Sequence, residues 1–340
     1  LELIASLPWG QYSQIGTDLQ TAEDMLNEDH YGLDKVKKKV IQHLAVQQRT
    51  GAANGKIICL IGPPGVGKTS IAKSVARATG RSYARVSLGG VHDESKIRGH
   101  SSTYVGALPG IVINGIKEAG KSNALMVLDE IDKMGQESRQ GDPTAALLEV
   151  LDPEQNHTFR DDFMGVEYDL SKVFFFATAN DLGGIPGPLR DRMQIITLPG
   201  YMPEEKFEIA MRYLMPKQMK QTGLSDTDIV IHPAAIKELI AHHTGEAGVR
   251  GLEKKINEIC GVAVVKITKG EPGPLHVTAK NLPDFVGPGY GDREKIPSVD
   301  MVGVVNGLAY SSIGGSVLPI EASTVRSFSG FRMVVSGNLG

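Results

Sequence analysis

An apolar run, Ile57-Ile58-Cys59-Leu60-Ile61, leads straight into Gly62-Pro63-Pro64-Gly65-Val66-Gly67-Lys68-Thr69 and then into the helix-like stretch from Thr69 to Thr79. Few sequence features constrain a fold so tightly. The pattern G-x-x-x-x-G-K-[ST] between a strand and a helix makes a loop whose glycines let backbone N–H groups curl around phosphate. It does so at a helix N-terminus, whose dipole also favours the anion. In that role Lys68 reaches the β- and γ-phosphates of a nucleotide and the Thr69 hydroxyl ligates Mg²⁺, with Ser70 next in the helix. The competing reading is a glycine turn with a surface lysine, which the complete match and its strand–helix setting disfavour.

Two further strand ends fit the same chemistry. Leu125-Met126-Val127-Leu128-Asp129-Glu130 places two carboxylates at the end of an apolar run. The first is expected to hold Mg²⁺ and the second to activate water. A third run ends Phe174-Phe175-Phe176-Ala177-Thr178-Ala179-Asn180, where an Asn can orient that water or merely cap a turn. Pro188-Leu189-Arg190-Asp191-Arg192 holds arginine after a loop rich in proline and glycine. On residue type alone the reading of that arginine as an exposed helix-end ion pair wins over a finger reaching a neighbouring γ-phosphate.

Short apolar strands separated by helical stretches, up to about Pro199, predict a doubly wound parallel α/β domain. Beyond Tyr201 the texture changes: Pro203 to Met215, Pro233 to His243 and Gly251 to Lys266 read as amphipathic helices of a small helical domain. Short strands are expected again at Val302–Val305, Ser316–Ile320 and Met333–Val335, after a linker rich in glycine and proline. Forty-one per cent hydrophobic and 22% charged residues suit a globular chain, and a net charge of −3 gives no overall field for nucleic acid. The densest cationic cluster, Lys35, Lys37, Lys38 and Lys39, reads as the solvated face of a helix. Two cysteines, Cys59 and Cys260, exclude a disulfide framework and point to a reducing compartment. No apolar stretch is long enough to span a membrane. The chain opens on Leu1 and stops in mid-pattern at Gly340, so it is expected to be a piece of something longer.

With these residues in order, the chain resembles the AAA+ module of the Lon family of ATP-dependent proteases. The resemblance rests on Asp29-His30-Tyr31-Gly32-Leu33, Gly62 to Thr69, Ile97-Arg98-Gly99-His100, Thr103-Tyr104-Val105-Gly106, Asp129-Glu130-Ile131-Asp132-Lys133, Leu147 to Asn156 and Glu246 to Glu253. It implies His30, Tyr31 and Gly32 near the adenine of ATP or ADP, Asn180 as sensor 1, Arg192 as the intersubunit finger with Arg190 as runner-up, and Arg250 as sensor 2. It implies that Tyr104 and Val105 form a pore loop gripping unfolded polypeptide, since tyrosine offers a large amphipathic face to any side chain. One departure stands out: Ser101 and Ser102 occupy positions where relatives usually carry two basic residues.

The implied organisation is an N-terminal segment (1–30), an α/β ATPase domain (31–200), an all-helical lid (201–286), a linker (287–300) and the start of an α+β protease domain (301–340). The family's peptidase uses a Ser-Lys dyad, but Lys295 is the last lysine here, so Ser311, Ser312 and Ser336 lack a partner in the C-terminal segment. The dyad is expected beyond residue 340. The resemblance further implies a homohexameric ring, unfolded or misfolded protein substrates, and a bacterial cytoplasmic or mitochondrial matrix location, with DNA binding as a side activity. The alternatives are a nucleic-acid motor on the same ATPase core and a nucleotide-gated scaffold, which Glu130 and Asn180 disfavour.

Overall fold

The computed structural model describes residues 1–16, 18–50, 57–135, 141–290, 301–311 and 314–322. The chain divides into two compact units, Leu1–Gly289 and Tyr290–Gly340.

The first unit is built on β1 (Ile57–Ile61), β2 (Tyr83–Ser87), β3 (Leu125–Asp129), β6 (Phe174–Ala179) and β7 (Met193–Thr197), with β4 (Phe159–Arg160) and β5 (Glu167–Tyr168) forming a separate antiparallel pair. The five strands lie in the order β2-β3-β6-β1-β7, all parallel. In β1 every residue is buried because both faces of the sheet are covered. Ile57, Cys59 and Ile61 enter one core with Met126, Leu128 and Phe175, while Ile58 and Leu60 enter another with Leu125, Val127 and Phe176. This is the two-residue alternation of a strand expressed as two cores. Sequence reading anticipated β1, β3 and β6 but not β2, whose burial alternates with exposure, or β7, which is only partly buried; neither gives a continuous apolar signal.

Helices α1 (Glu2–Ser6), α2 (Leu19–Asp29), α3 (Asp34–Thr50), α4 (Lys68–Ala78), α5 (Glu94–Arg98), α6 (Ile111–Ala119), α7 (Pro143–Leu151) and α8 (Gly187–Asp191) complete the α/β part. The N-terminal segment, residues 1–30, is bound to this body. Leu7 is buried, Trp9 and Tyr168 have ring centroids 4.7 Å apart, and Ser13 and Asn123 exchange two hydrogen bonds of 2.7 and 2.9 Å. Helix α2 buries Ala22 and Leu26. The lysine cluster is not wholly solvated either: Lys37 is buried, and its Nζ donates to the His30 carbonyl (2.7 Å) and to Asn27 Oδ1 (3.0 Å).

After Tyr201 come α9 (Pro203–Ile209), a π-helical turn (Ala210–Leu214), α10 (Met215–Thr222), α11 (Pro233–Glu238), a second π-helical turn (Leu239–His243), α12 (Arg250–Thr268) and α13 (Pro283–Val286). The first π turn widens where Pro216, lacking an N–H, cannot bond the Arg212 carbonyl. The lid has its own core, with Leu239, Leu252, Ile256 and Cys260 fully buried. Besides its helices it carries β8 (Ile229–Ile231) paired in parallel with β9 (Leu275–Val277), strands of three residues that leave almost no periodic trace in sequence.

In the second unit, β10 (Val304–Ser311) and β11 (Gly314–Glu321) pair antiparallel from Val304↔Glu321 to Ser311↔Gly314. The strand expected at 316–320 falls within β11, whereas the one expected at 302–305 overlaps only the first two residues of β10, Val304 and Val305. The strand expected at 333–335, Ser312, Ser336 and most of the linker lie outside the described residues.

Candidate nucleotide-binding site

Register, more than proximity in sequence, assembles this site. Ile61 pairs with Ala179 and Leu128 with Ala177, so Gly62, Asp129, Glu130 and Asn180 emerge together at the carboxyl edge of the sheet. That edge is where parallel α/β sheets bind ligands.

The loop after β1 takes its shape from glycine. Gly65 and Gly67 have φ of +82° and +89°, backbone that other residues rarely adopt. Gly67 then caps α4 without a side chain, leaving the first N–H groups of the helix directed outward. Lys68 is folded back toward the sheet: Nζ donates to the Pro63 carbonyl (3.0 Å) and to Asn180 Oδ1 (2.9 Å), and also to the Gly62 carbonyl. Burial lowers its pKa from the usual lysine value, opposed by the negative charges of Asp132, Asp129 and Glu130.

The lid is seated on this loop through the block from Glu246 to Gly251. The Glu246 carboxylate accepts from Gly251 N–H and Leu252 N–H, both at 2.8 Å, and so caps α12. Val249 N–H donates to the Gly65 carbonyl at 3.1 Å. A Cβ on Gly248 would lie 2.4 Å from the Pro64 carbonyl oxygen and 2.5 Å from the Gly65 carbonyl carbon, so only glycine permits the approach. Tyr201 adds a hydroxyl bond to the Val66 carbonyl (2.9 Å), and burial raises its phenol to about 12. Between loop and lid lies a cavity of about 350 Å³ lined by Gly65, Lys68, Thr69, Tyr31, Tyr201 and Arg250, among others. The volume is in the range of small-ligand sites.

His30 also lines the cavity and is 8% exposed. Ser74 donates its hydroxyl proton to Asp29 Oδ2 (2.6 Å), which also takes Arg77 Nη2 (2.7 Å). His30 Nε2, 3.0 Å from Ser74 Oγ, is therefore the donor in that contact. Burial, reinforced by the positive charges of Lys37 and Arg77 and opposed by Asp29, lowers His30 to about 4. Gly32 turns the chain at φ +62° beside Glu205, and Tyr31 lies under Arg212, 5.1 Å from ring centroid to guanidinium.

At the sheet edge Asp129 is buried, with Oδ1 taking the Thr178 hydroxyl and Oδ2 taking Arg85 Nε (2.8 Å) and Nη2 (2.5 Å). Glu130 adopts left-handed backbone at φ +59°. Its Oε1 pairs with Lys133 Nζ at 2.5 Å, and a Cβ on Gly89 would lie 2.5 Å from its Oε2. Asp132 Oδ2 accepts from the backbone N–H of Asn180 (3.0 Å) and Asp181 (3.2 Å), fixing the strand end that carries Asn180. Sequence reading missed Arg85, Thr178, Tyr201 and Lys133 as members of the site. Only the strand order makes Arg85 and Thr178 neighbours of Asp129, and no local pattern encodes it.

Asp129, Glu130 and Asn180 at the sheet edge, Gly32, and the more distant Arg192, Tyr104 and Val105 lie outside the cavity lining. Arg192 ends α8 and pairs with Asp152 at 3.1 Å, so the helix-end ion pair is present; the guanidinium remains partly exposed and Arg190 is exposed. The hydrogen bond from Arg192 holds Asp152 below the usual carboxylate range. Tyr104 is 71% exposed and Val105 fully so. The stem of their loop is held by buried Asp161, whose carboxylate accepts from Gly110 N–H (2.7 Å), Phe163 N–H and Met164 N–H (3.0 Å each). Of the two departing residues, Ser101 shares a hydrogen bond of 2.9 Å with the Thr103 hydroxyl.

Residues 58–201 match the model of the ATPase family associated with various cellular activities, AAA. Residues 220–275 match the Lon protease AAA+ ATPase lid domain, and residues 276–340 match the Lon protease C-terminal proteolytic domain. The last match begins within the lid fold, since Val277, Phe285 and Val286 belong to the lid core. The chain is 47% identical over 340 residues to a Lon protease of Geobacter metallireducens, covering 100% of this chain and 41% of that protein. It is 50% identical to a Lon protease of Rhizobium meliloti (100% and 42%) and 51% identical to Lon protease 3 of Sorangium cellulosum (96% and 39%). It thus spans about two fifths of the length of these relatives.

Proposed function

We infer the function of this chain from one premise: it belongs to the Lon protease family. On that premise it is the ATP-hydrolysing motor that unfolds polypeptide and feeds it to a serine–lysine peptidase whose dyad is not within residues 1–340. The observation that carries this reading is the register that gathers Lys68, Asp129, Glu130 and Asn180 at one sheet edge beneath a lid seated on the phosphate loop.

Each residue then has a task. The loop N–H groups from Gly65 to Ser70 cradle the phosphates, and Lys68 turns from the Pro63 carbonyl and Asn180 toward the β- and γ-oxygens. Asn180 orients the attacking water and Glu130 takes its proton, once Lys133 releases the carboxylate. The donor set suits Mg²⁺: Thr69 and Asp129 offer hard oxygens, and among the described residues no three His, Cys, Asp or Glu side chains gather to hold a metal unaided. Held there with the phosphates, Mg²⁺ would neutralise charge developing on the transferred group. His30 and Tyr31, which line the cavity, border the adenine with Gly32 turning the chain beside them, and Arg250, carried on α12, reports the γ-phosphate to the lid.

Arg192, freed from Asp152, reaches the neighbouring subunit's site in a homohexameric ring, and Tyr104 with Val105 grips unfolded or misfolded protein in its pore. In this reading residues 31–200 form the ATPase domain, 201–286 the lid and 301–340 the opening of the protease domain. Among the described residues no helix is long and apolar enough to cross a membrane, and buried Cys59 and Cys260 are free thiols, which suits the bacterial cytoplasm. DNA binding is at most a side activity.

The test is Glu130→Gln in the full-length protein. ATP binding should persist while steady-state hydrolysis falls about 10²- to 10⁴-fold, the scale of one general base. Unchanged turnover would remove Glu130 from the chemistry. Mixing these subunits with Arg192→Ala subunits should restore some hydrolysis if the arginine acts across an interface; rings without recovery would return Arg192 to a structural role.

A further inference from the structure

The tasks above leave Arg85 unexplained. It stands on β2, next to β3, and its Nε and Nη2 both rest on one oxygen of Asp129, at 2.8 and 2.5 Å. The other oxygen takes the Thr178 hydroxyl. Asp129 thus has both oxygens engaged and its charge neutralised within its own chain. The carboxylate is nearly covered, with its side chain 10% exposed, whereas the Arg85 side chain is 55% exposed and has solvent to swing into.

A guanidinium cannot be deprotonated in a protein, so its charge can be relieved only by movement or by an arriving anion. A divalent cation approaching Asp129 meets that positive charge at the oxygen it needs. A nucleotide polyphosphate changes the balance, because its negative charge compensates cation and guanidinium together. The asymmetry is useful to a motor, since an empty site then does not trap metal.

We propose that Arg85 is an internal counter-ion competing with divalent metal for Asp129, so that metal binding is tied to nucleotide binding. The inference rests on the reading of Asp129 as the metal-holding carboxylate. It makes Arg85 a positioning residue and predicts antagonism with the bare metal, which by linkage is reciprocal.

The experiment uses Mn²⁺ alone, followed by its paramagnetic signal on the full-length protein without nucleotide, and then a fluorescent ADP analogue titrated at increasing Mn²⁺. Arg85→Gln should bind bare Mn²⁺ about fivefold or more tightly than the unaltered protein, and should need correspondingly less Mn²⁺ for its ADP affinity to plateau. Arg85→Lys, which keeps the charge but loses the fork, should fall between the two. Equal or weaker Mn²⁺ affinity in Arg85→Gln overturns the proposal and leaves Arg85 holding the carboxylate in place. Asp129→Ala separates the two ideas: if its metal dependence matches that of the unaltered protein, the metal-site reading fails, whatever Arg85 does.

Discussion

Two loops of the same α/β domain, each leading to a helix, were solved in opposite ways. The phosphate loop, 62–67, is covered: Val66 is fully buried, Gly65 touches Arg250 and Val249, and Gly248 presses on Pro64. The loop 101–108 presents Tyr104, Val105 and Leu108 to solvent, and an added Cβ at its Gly106 would meet nothing within 4 Å. Yet the second loop is firm at its root, where Gly110 allows its Cα to approach the Ile97 carbonyl and Asp161 holds the Gly110 N–H. Placing donors around an anion requires backbone fixed on every side. Gripping a changing polypeptide requires a fixed stem and a free tip.

The comparison would break most visibly at Gly248. Alanine there meets backbone at 2.4 to 2.7 Å on the loop side, and backbone cannot yield as a flexible side chain does. Gly248→Ala should cost about 3 kcal/mol of stability or displace the lid, with a marked loss of affinity for a fluorescent ADP analogue. Unchanged affinity would show that the seam between lid and loop is not what shapes the site.

A smaller effect sharpens the contrast through pH. The His30 pKa is lowered from 6.5 to about 4, so between those values the unfolded chain binds a proton that the folded chain refuses. Stability from this residue is complete above pH 6.5 and lost as pH falls toward 4. From pH 7 to 5 the loss should be about 2 kcal/mol, and His30→Gln should remove about one proton's worth of slope from denaturant unfolding followed against pH. Identical slopes would mean that the ring is not held neutral in the fold.

The smallest stability effect belongs to the exposed tip. Tyr104→Ala should change unfolding free energy by less than about 0.5 kcal/mol, as surface substitutions do, and leave basal ATP hydrolysis within about twofold. Degradation of an unfolded protein by the full-length enzyme should be lost. A large fall in stability would mean that Tyr104 packs on the domain after all.

Much of the site was legible because the chemistry needs particular residues in particular local order. Gly62 to Thr69 has one workable geometry between strand and helix, and Asp129, Glu130 and Asn180 announce themselves as polar residues ending apolar strands. The block from Glu246 to Glu253 was recognisable only by resemblance; its physical content, a carboxylate capping α12 and a glycine abutting the phosphate loop, required coordinates. Lys35, Lys38 and Lys39 are exposed, as charge alone suggests, while Lys37 departs from that reading, drawn inside to donate to the His30 carbonyl at the end of α2. Strands β2, β7, β8 and β9 escaped because strands that are short or half exposed carry little periodic signal.

The sequence by itself determined the form of the glycine loop between strand and helix and which carboxylates end the neighbouring strands, since those depend on local backbone freedom and residue type. Tertiary structure alone decided the partners of those carboxylates. Strand order placed Arg85 on Asp129 and Thr178 beneath it, and lid packing placed Gly248 on Pro64. Parallel strands are joined by long crossovers, so their neighbours are distant in sequence, and no local pattern can say which charge will face which.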